Sequence, residues 1–203
     1  MITAIAGVNG AGKSSVAGAY IRDAGGEYFN PDEVARELMN ENSQLTTTEA
    51  NSEAWKTGFE QLTRAIKEGK DYIFETTLGG TSIPELLHQA IENGQQVRIY
   101  FCGLNSPDLH IQRVKERVTK GGHNIPEDKI RQRWKNSIHN LMGLIPICAE
   151  TRVIDNSSPE RKHGPEPVCL FHIQDDCFIE PPTDPMPTWA KPIAAEAIKR
   201  VPV

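Results

Sequence analysis

The chain has 203 residues, 38% of them hydrophobic, and a formal net charge of −5. That length suits one α/β domain with a sizeable core, and an acidic balance without a lysine or arginine run argues against a nucleic-acid partner. No apolar segment reaches bilayer-spanning length, and a first strand at residue 2 leaves no room for a signal peptide, so no membrane contact and a cytoplasmic location are expected.

Residues 1–6 are a short apolar run that reads as a strand. Directly after it stands Gly7-Val8-Asn9-Gly10-Ala11-Gly12-Lys13-Ser14, which is glycine, four residues, then Gly-Lys-Ser. Residues 14–24 then read as a helix with Val16, Ala17, Tyr20 and Ile21 on its apolar side. Strand, glycine loop and helix are the context of a phosphate-binding loop. Glycines let the backbone turn its N–H groups around a phosphate, and a helix N-terminus adds a favourable dipole. Lys13 then reaches the β- and γ-phosphates of a bound nucleotide, and the Ser14 hydroxyl is a ligand for Mg²⁺. The nucleotide-contacting set is Gly7, Asn9, Gly10, Ala11, Gly12, Lys13, Ser14 and Ser15.

Gly25-Gly26 ends the first helix, and residues 27–29 read as a short second strand. Asn30-Pro31-Asp32-Glu33 opens the next helix with a cap, a first-turn proline and two acids. Trp55, Phe59, Leu62 and Ile66 share one face of a long helix over residues 52–68, which predicts that all four pack in the core. Residues 71–75 form a third strand that ends on Glu75, and Ile83 to Ile91 mark a helix closed at Asn93-Gly94. Residues 97–102 are a fourth strand, Ser106-Pro107-Asp108 starts another helix, and residues 152–155 are a fifth strand. The alternation implies a parallel sheet with helices on both faces. Cys102, Cys148, Cys169 and Cys177 make no CxxC pair and are expected to be reduced thiols.

Past residue 156 prolines become dense (Pro159, Pro165, Pro167, Pro181, Pro182, Pro185, Pro187, Pro192), which excludes long helices. A hairpin of residues 168–173 and 177–179 and a short helix over 192–200 are expected there. The chain is therefore divided into a nucleotide domain over 1–156, with a helical lid around 106–140, and an appended 157–203 extension packed on it.

Ligands of parallel α/β sheets bind beyond the carboxyl ends of the strands. Asp32 and Glu75 stand at two such ends, where one carboxylate can take the proton of an attacking hydroxyl and the other can hold substrate or metal. For Asp32 the alternative is service as a helix N-terminal acid. From Gln112 to Arg133 the chain reads helix, Gly121-Gly122 turn, helix. Arg113 and Arg117 share a face, whereas Arg131 and Arg133 do not, so only one of the latter pair points inward. Arginines on a closing lid neutralise γ-phosphate charge and exclude water; the alternative is a solvated basic hairpin.

Gly7 to Ser14, Phe29-Asn30-Pro31-Asp32-Glu33, Phe74-Glu75-Thr76-Thr77, and Arg117 through Gly121-Gly122-His123 to Arg131 together resemble the zeta toxin-like branch of the P-loop kinases over residues 1–156. The resemblance implies a five-stranded parallel sheet in the order 2-3-1-4-5, a lid, and ATP–Mg²⁺ as phosphoryl donor. It also implies a UDP-N-acetyl amino sugar as the hydroxyl acceptor, phosphorylated on the sugar 3′-hydroxyl, and a protein antitoxin as partner. By motif Lys13 is the phosphate-loop lysine, Asp32 the base, Glu75 the substrate-site glutamate with Thr76 beside it, and Arg117 and Arg131 lid arginines, with Arg133 as substitute. Zeta toxins tend to follow that glutamate with Gly-Thr-Gly-Arg; here Thr76-Thr77-Leu78-Gly79 follows, without an arginine. A nucleotide or small-metabolite kinase without toxicity, and an ATP-binding regulatory module with little turnover, are the competing readings. A transporter-type ATPase is not, because the fourth strand runs into Gly103-Leu104 without a carboxylate and no LSGGQ-like signature is present.

Overall fold

The computed structural model of the protein describes residues 1–158 and 166–202. Its elements are β1 (Ile2–Ala6), α1 (Ala17–Asp23), α2 (Pro31–Glu41), α3 (Thr47–Glu68), β2 (Tyr72–Thr76), α4 (Ser82–Glu92) and β3 (Val97–Gly103). They continue with α5 (Pro107–Thr119), α6 (Glu127–Leu144), β4 (Glu150–Asp155), β5 (Val168–Gln174), β6 (Cys177–Glu180) and α7 (Lys191–Arg200). Pro159 and Pro165 of the proline-dense tail lie outside the described residues. Among the described residues no helix is long and apolar enough to cross a membrane.

The strands form one six-stranded sheet in the order β2-β1-β3-β4-β5-β6. The first four are mutually parallel, and the last two are antiparallel additions. The sheet is thus mixed and six-stranded, which corrects the expectation of five parallel strands. The expected strand over residues 27–29 shrinks to Phe29 alone, bridged in parallel to Phe74. The Phe29 N–H donates to the Ile73 carbonyl at 2.9 Å, and the Phe29 carbonyl accepts from Glu75 N–H at 2.8 Å. Pairing stops there because the next residues are the Asn30 cap and Pro31, which has no N–H to give. At the other edge, the tail hairpin turns through Asp175 and Asp176, both left-handed at φ 46° and 61°. It then pairs edge-on with β4, so the chain beyond residue 166 extends the main sheet.

Side chains alternate across the strands, as the two-residue period requires. Ile2, Ala4, Ala6, Ile99, Phe101 and Phe171 join α3, α4, α6 and α7 in the larger core, whereas Ile5 and Cys102 pack under Ala17 and Ile21 of α1. Helix starts follow local chemistry. Asn30 Oδ1 accepts from Asp32 N–H at 3.0 Å, and Ser106 Oγ accepts from Leu109 N–H at 3.2 Å. Thr46 and Glu49 make a capping box that starts α3 five residues before the expected residue 52. The α1 helix begins later than residue 14, because Gly18 N–H donates five residues back to the Lys13 carbonyl at 2.9 Å.

Two aromatic residues depart from the expected core. Tyr20 is 65% exposed and Trp55 52% exposed, whereas Leu62 and Ile66 are buried. The first half of α3 buries Ala50 and Ala54 against Ala35 of α2, with Val34, Leu38 and Met39 around them, and Trp55 stacks on Phe59 at 5.2 Å between centroids.

Phe171 on β5 is fully buried and meets Phe178 edge-on at 6.4 Å. Phe171→Ala is expected to destabilise the chain by about 3–5 kcal/mol. Urea unfolding followed by far-UV circular dichroism would show this as one shifted transition; an unshifted midpoint would detach the hairpin from the cooperative unit.

Candidate active site

β1 delivers the glycine loop to the carboxyl end of the sheet, and the surrounding elements leave it no room for side chains. A Cβ on Gly7 (φ 140°) would run into the Cys102 carbonyl of β3. One on Gly10 (φ 83°) would lie 2.9 Å from the His110 carbonyl of α5, and one on Gly12 (φ 86°) would collide with the Asn156 amide just past β4. Left-handed glycines at these positions curl the backbone into a concave nest suited to an anion. The nest is braced from outside. His110 Nδ1–H donates to the Asn9 carbonyl at 2.9 Å, and Asn156 Nδ2 donates to the Ala11 carbonyl at 2.9 Å. Both bracing side chains are buried, and burial pushes the His110 imidazole down to about 4, so it is neutral near pH 7.

Lys13 points from the loop to the end of β2, with Nζ 4.0 Å from Glu75 Oε2. Glu75 is 7% exposed, and its other oxygen, Oε1, is buried without a hydrogen bond among the described residues, although Glu75 lies close enough to the Tyr28 hydroxyl to raise the tyrosine's pKa. A buried carboxylate oxygen without a donor is costly unless a ligand supplies one. Ser15 Oγ donates to the Gly12 carbonyl at 3.1 Å, which leaves half-buried Ser14 as the hydroxyl free of that internal bond. The Thr76 side chain is turned to structure: its Oγ1 accepts from Leu78 N–H at 3.0 Å, and its carbonyl accepts from Gly7 N–H at 3.1 Å.

The Phe29 bridge sets the start of α2 beside β2, so Asp32 stands across the site from the hairpin of α5 and α6. Asp32 Oδ2 accepts from Arg117 Nη1 at 3.2 Å, and Arg117 Nη2 donates to the His123 carbonyl at 3.3 Å. Burial lowers the pKa of the His123 imidazole, partly opposed by Asp32. Arg133 Nη1 donates to Asn9 Oδ1 in the glycine loop at 2.8 Å. Burial also lowers the Arg133 pKa from its ordinary value, with Asp32 acting against that shift.

Arg131 is not part of this group. It lies on the exposed side of α6, paired with Asp108 at 2.5 Å. Residues two apart on a helix point about 200° away from each other, so bringing Arg133 to the loop turns Arg131 outward. The inward position expected for Arg131 is thus taken by Arg133. Arg113 donates to the Ser158 carbonyl at 3.2 Å. The sequence reading missed His110 and Asn156. His110 had a usable signal, three and seven residues before Arg113 and Arg117 on the same helical stripe; Asn156 had none beyond its place after a strand.

A family model described as an AAA domain, AAA_33, matches residues 2–140. The chain belongs to this family. An uncharacterized protein of Haemophilus influenzae is 33% identical over 128 residues, 63% of this chain and 88% of that protein. The crystal structure of AvrRxo1-ORF1:-ORF2 with ATP superposes with a TM-score of 0.64 at 17% identity, over 99% of this chain and 63% of that one. This chain therefore spans slightly under two thirds of that relative's length. The structure from the PezAT chromosomal toxin-antitoxin system of Streptococcus pneumoniae gives a TM-score of 0.56 at 14% identity, over 99% of this chain and 86% of that one. These likenesses establish a P-loop kinase-like α/β fold for the AAA_33 chain.

The buried His110 makes the loop pH-sensitive. Its folded pKa, about 4, lies below the ordinary 6.5, so as pH falls the unfolded chain takes the proton first. Stability from this group is full above pH 6.5 and falls between 6.5 and 4, by roughly 3 kcal/mol in total. His110→Asn keeps a donor near the Nδ1 position and removes the titration. Melting temperatures from pH 7 to 4.5 should fall less in His110→Asn than in the wild type; parallel curves would mean that His110 titrates normally.

Proposed function

We propose that the protein is an ATP- and Mg²⁺-dependent phosphotransferase that moves the γ-phosphate to a hydroxyl of a small metabolite. The observation that carries this reading is the buried Glu75 carboxylate with Oε2 4.0 Å from Lys13 Nζ and Oε1 without a hydrogen bond among the described residues, next to a glycine nest that also binds Arg133. An ATPase needs a nest and a cation; a buried carboxylate held next to them suits a second substrate that carries a hydroxyl.

In this reading Gly7, Asn9, Gly10, Ala11, Gly12, Lys13, Ser14 and Ser15 hold the triphosphate, and Ser14 is the protein ligand to Mg²⁺. The bound ion offsets charge on the β- and γ-oxygens. Glu75 accepts a hydrogen bond from the acceptor, with Thr76 shaping that side, and Asp32 takes the hydroxyl proton as the oxygen attacks phosphorus. Arg117 occupies Asp32 Oδ2 at 3.2 Å, so its fork must turn from Asp32 to the γ-phosphate before that oxygen can take the hydroxyl proton. Residues 106–140 are the lid that carries Arg117 and Arg133 onto the nucleotide, closing the 1–156 nucleotide domain, and 157–203 is its extension.

The resemblance to zeta toxins makes a UDP-N-acetyl amino sugar the first acceptor to try and a protein antitoxin the partner to seek. The fold likeness to a PezAT protein and to a chain crystallised with a second one supports only the search for a protein partner. One observation favours a nucleotide or small-metabolite kinase without toxicity: Thr76-Thr77-Leu78-Gly79 provides no arginine after the glutamate. Labelled ATP incubated with a panel of nucleotide sugars, nucleosides and small polyols separates the readings. Label on a sugar supports the first and label on another metabolite the second, whereas binding without transfer to anything leaves a regulatory module.

With the acceptor in hand, Lys13→Ala should abolish turnover in a folded protein. Asp32→Asn should lower kcat by about two to four decades while ATP still binds. Arg133→Ala should lower kcat by about a hundredfold, and Arg131→Ala should leave it within about twofold. If neither arginine change lowers kcat in steady-state kinetics, both belong to a solvated hairpin.

A further inference from the structure

α6 carries a second row of polar side chains for which phosphoryl transfer has no use. Asn136 and Asn140 follow Arg133 by three and seven residues, so all three project from one helical stripe. Asn136 Nδ2 donates to the Gly79 carbonyl at 3.1 Å. Asn140 Nδ2 donates to the carbonyls of both Leu78 and Gly80, at 2.7 and 2.8 Å. These carbonyls belong to the segment between Glu75-Thr76 and α4, on the acceptor side of the site. The same segment is strained and tightly seated. Leu78 is left-handed at φ 53° although it is 1% exposed, and a Cβ on Gly79 would lie 2.8 Å from Arg133 Cγ and 2.9 Å from Arg133 Cβ. A non-glycine residue keeps such a conformation only where its surroundings over-determine it. Here the surroundings are the Thr76 hydroxyl that takes the Leu78 N–H, two asparagines, and the root of the arginine that holds the glycine loop.

We infer that Asn136 and Asn140 are positioning residues that fasten the post-β2 loop to α6, so that an anion engaging Arg133 on the glycine loop also orders the acceptor loop. The inference rests on the proposed ATP site to the extent that a nucleotide phosphate is that anion. The Arg133 fork has further N–H groups beyond the one given to Asn9. A phosphate that takes them pins α6 at a second point, and three hydrogen bonds carry the restraint to Leu78, Gly79 and Gly80. Nucleotide binding thereby prepares the acceptor side before the acceptor arrives.

Amide hydrogen exchange on the full chain tests this, with peptides covering residues 76–81 followed with and without adenylyl imidodiphosphate and Mg²⁺. Calorimetry on each variant reports analogue affinity separately. In the wild type the analogue should slow exchange in this segment by at least about threefold. In Asn140→Ala, and in the near-isosteric Asn140→Asp, exchange without analogue should be faster by a similar factor. The analogue should bind both with unchanged affinity yet slow nothing in the segment. Arg133→Met keeps the aliphatic root that packs on Gly79, so it should retain the slow basal exchange and lose only the nucleotide-dependent gain. Should Asn140 variants fail to fold, Asn136→Ala and Arg133→Met carry the test. An analogue that binds the wild type without slowing residues 76–81, or a gain that survives in the asparagine variants, overturns the inference alone. No analogue binding by the wild type overturns the ATP reading, and the inference with it.

Discussion

No side chain fits on the three glycines of the phosphate loop, and the rest of the site depends on that crowding. Gly7, Gly10 and Gly12 each face a polar group of a different element: the Cys102 carbonyl of β3, the His110 carbonyl of α5 and the Asn156 amide past β4. For an L-residue the left-handed backbone alone costs roughly 1–2 kcal/mol, and here a carbonyl or amide would also have to move. The tight fit works in both directions. Because three elements lean on the loop, the loop fixes where α5 and the end of β4 sit, and through α5 it fixes the stripe bearing Arg113 and Arg117. The hydrogen bonds from His110 and Asn156 are the attractive half of the same contact.

The local field at this loop opposes that of the whole molecule. The chain carries a formal charge of −5, yet Lys13, Arg117 and Arg133 gather around the nest beside the carboxylates of Asp32 and Glu75. These cations favour the approach of a polyanion to this loop on a chain whose net charge is negative. Neither carboxylate lies close against Lys13, since the 4.0 Å approach to Glu75 is longer than a hydrogen bond. The lysine is thus restrained without being neutralised.

Much of this was legible from residue types at fixed spacing. The Gly-Lys-Ser motif, the Asn30 and Ser106 caps and the left-handed Asp175-Asp176 turn are local devices whose chemistry lies within a few residues of chain. What was not legible depended on distant partners. The choice between Arg131 and Arg133 is a question of helix phase, settled by Asn9 more than a hundred residues away. Trp55 reads as core by periodicity, but α3 runs past the sheet onto α2, where its buried contacts are Ala50 and Ala54. The expected second strand fails because capping chemistry at Asn30 claims the backbone that pairing would use. The hairpin's union with β4 is a long-range pairing, and no local pattern announces one.

The mixed sheet also decides which strand edge the protein shows to other molecules. A purely parallel sheet would end on β4, a long buried-type strand whose free edge would invite pairing. In its place the sheet ends on β6, four residues long, with a charged Glu180 as its final residue. Pro181 and Pro182 follow at once, and a proline has no N–H with which to recruit another strand. The opposite edge, at β2, is blunted by the single-residue bridge of Phe29 and the helix that follows it. Both rims of the sheet are thereby poor templates for cross-β growth, a safeguard against aggregation that lies outside the catalytic residues altogether.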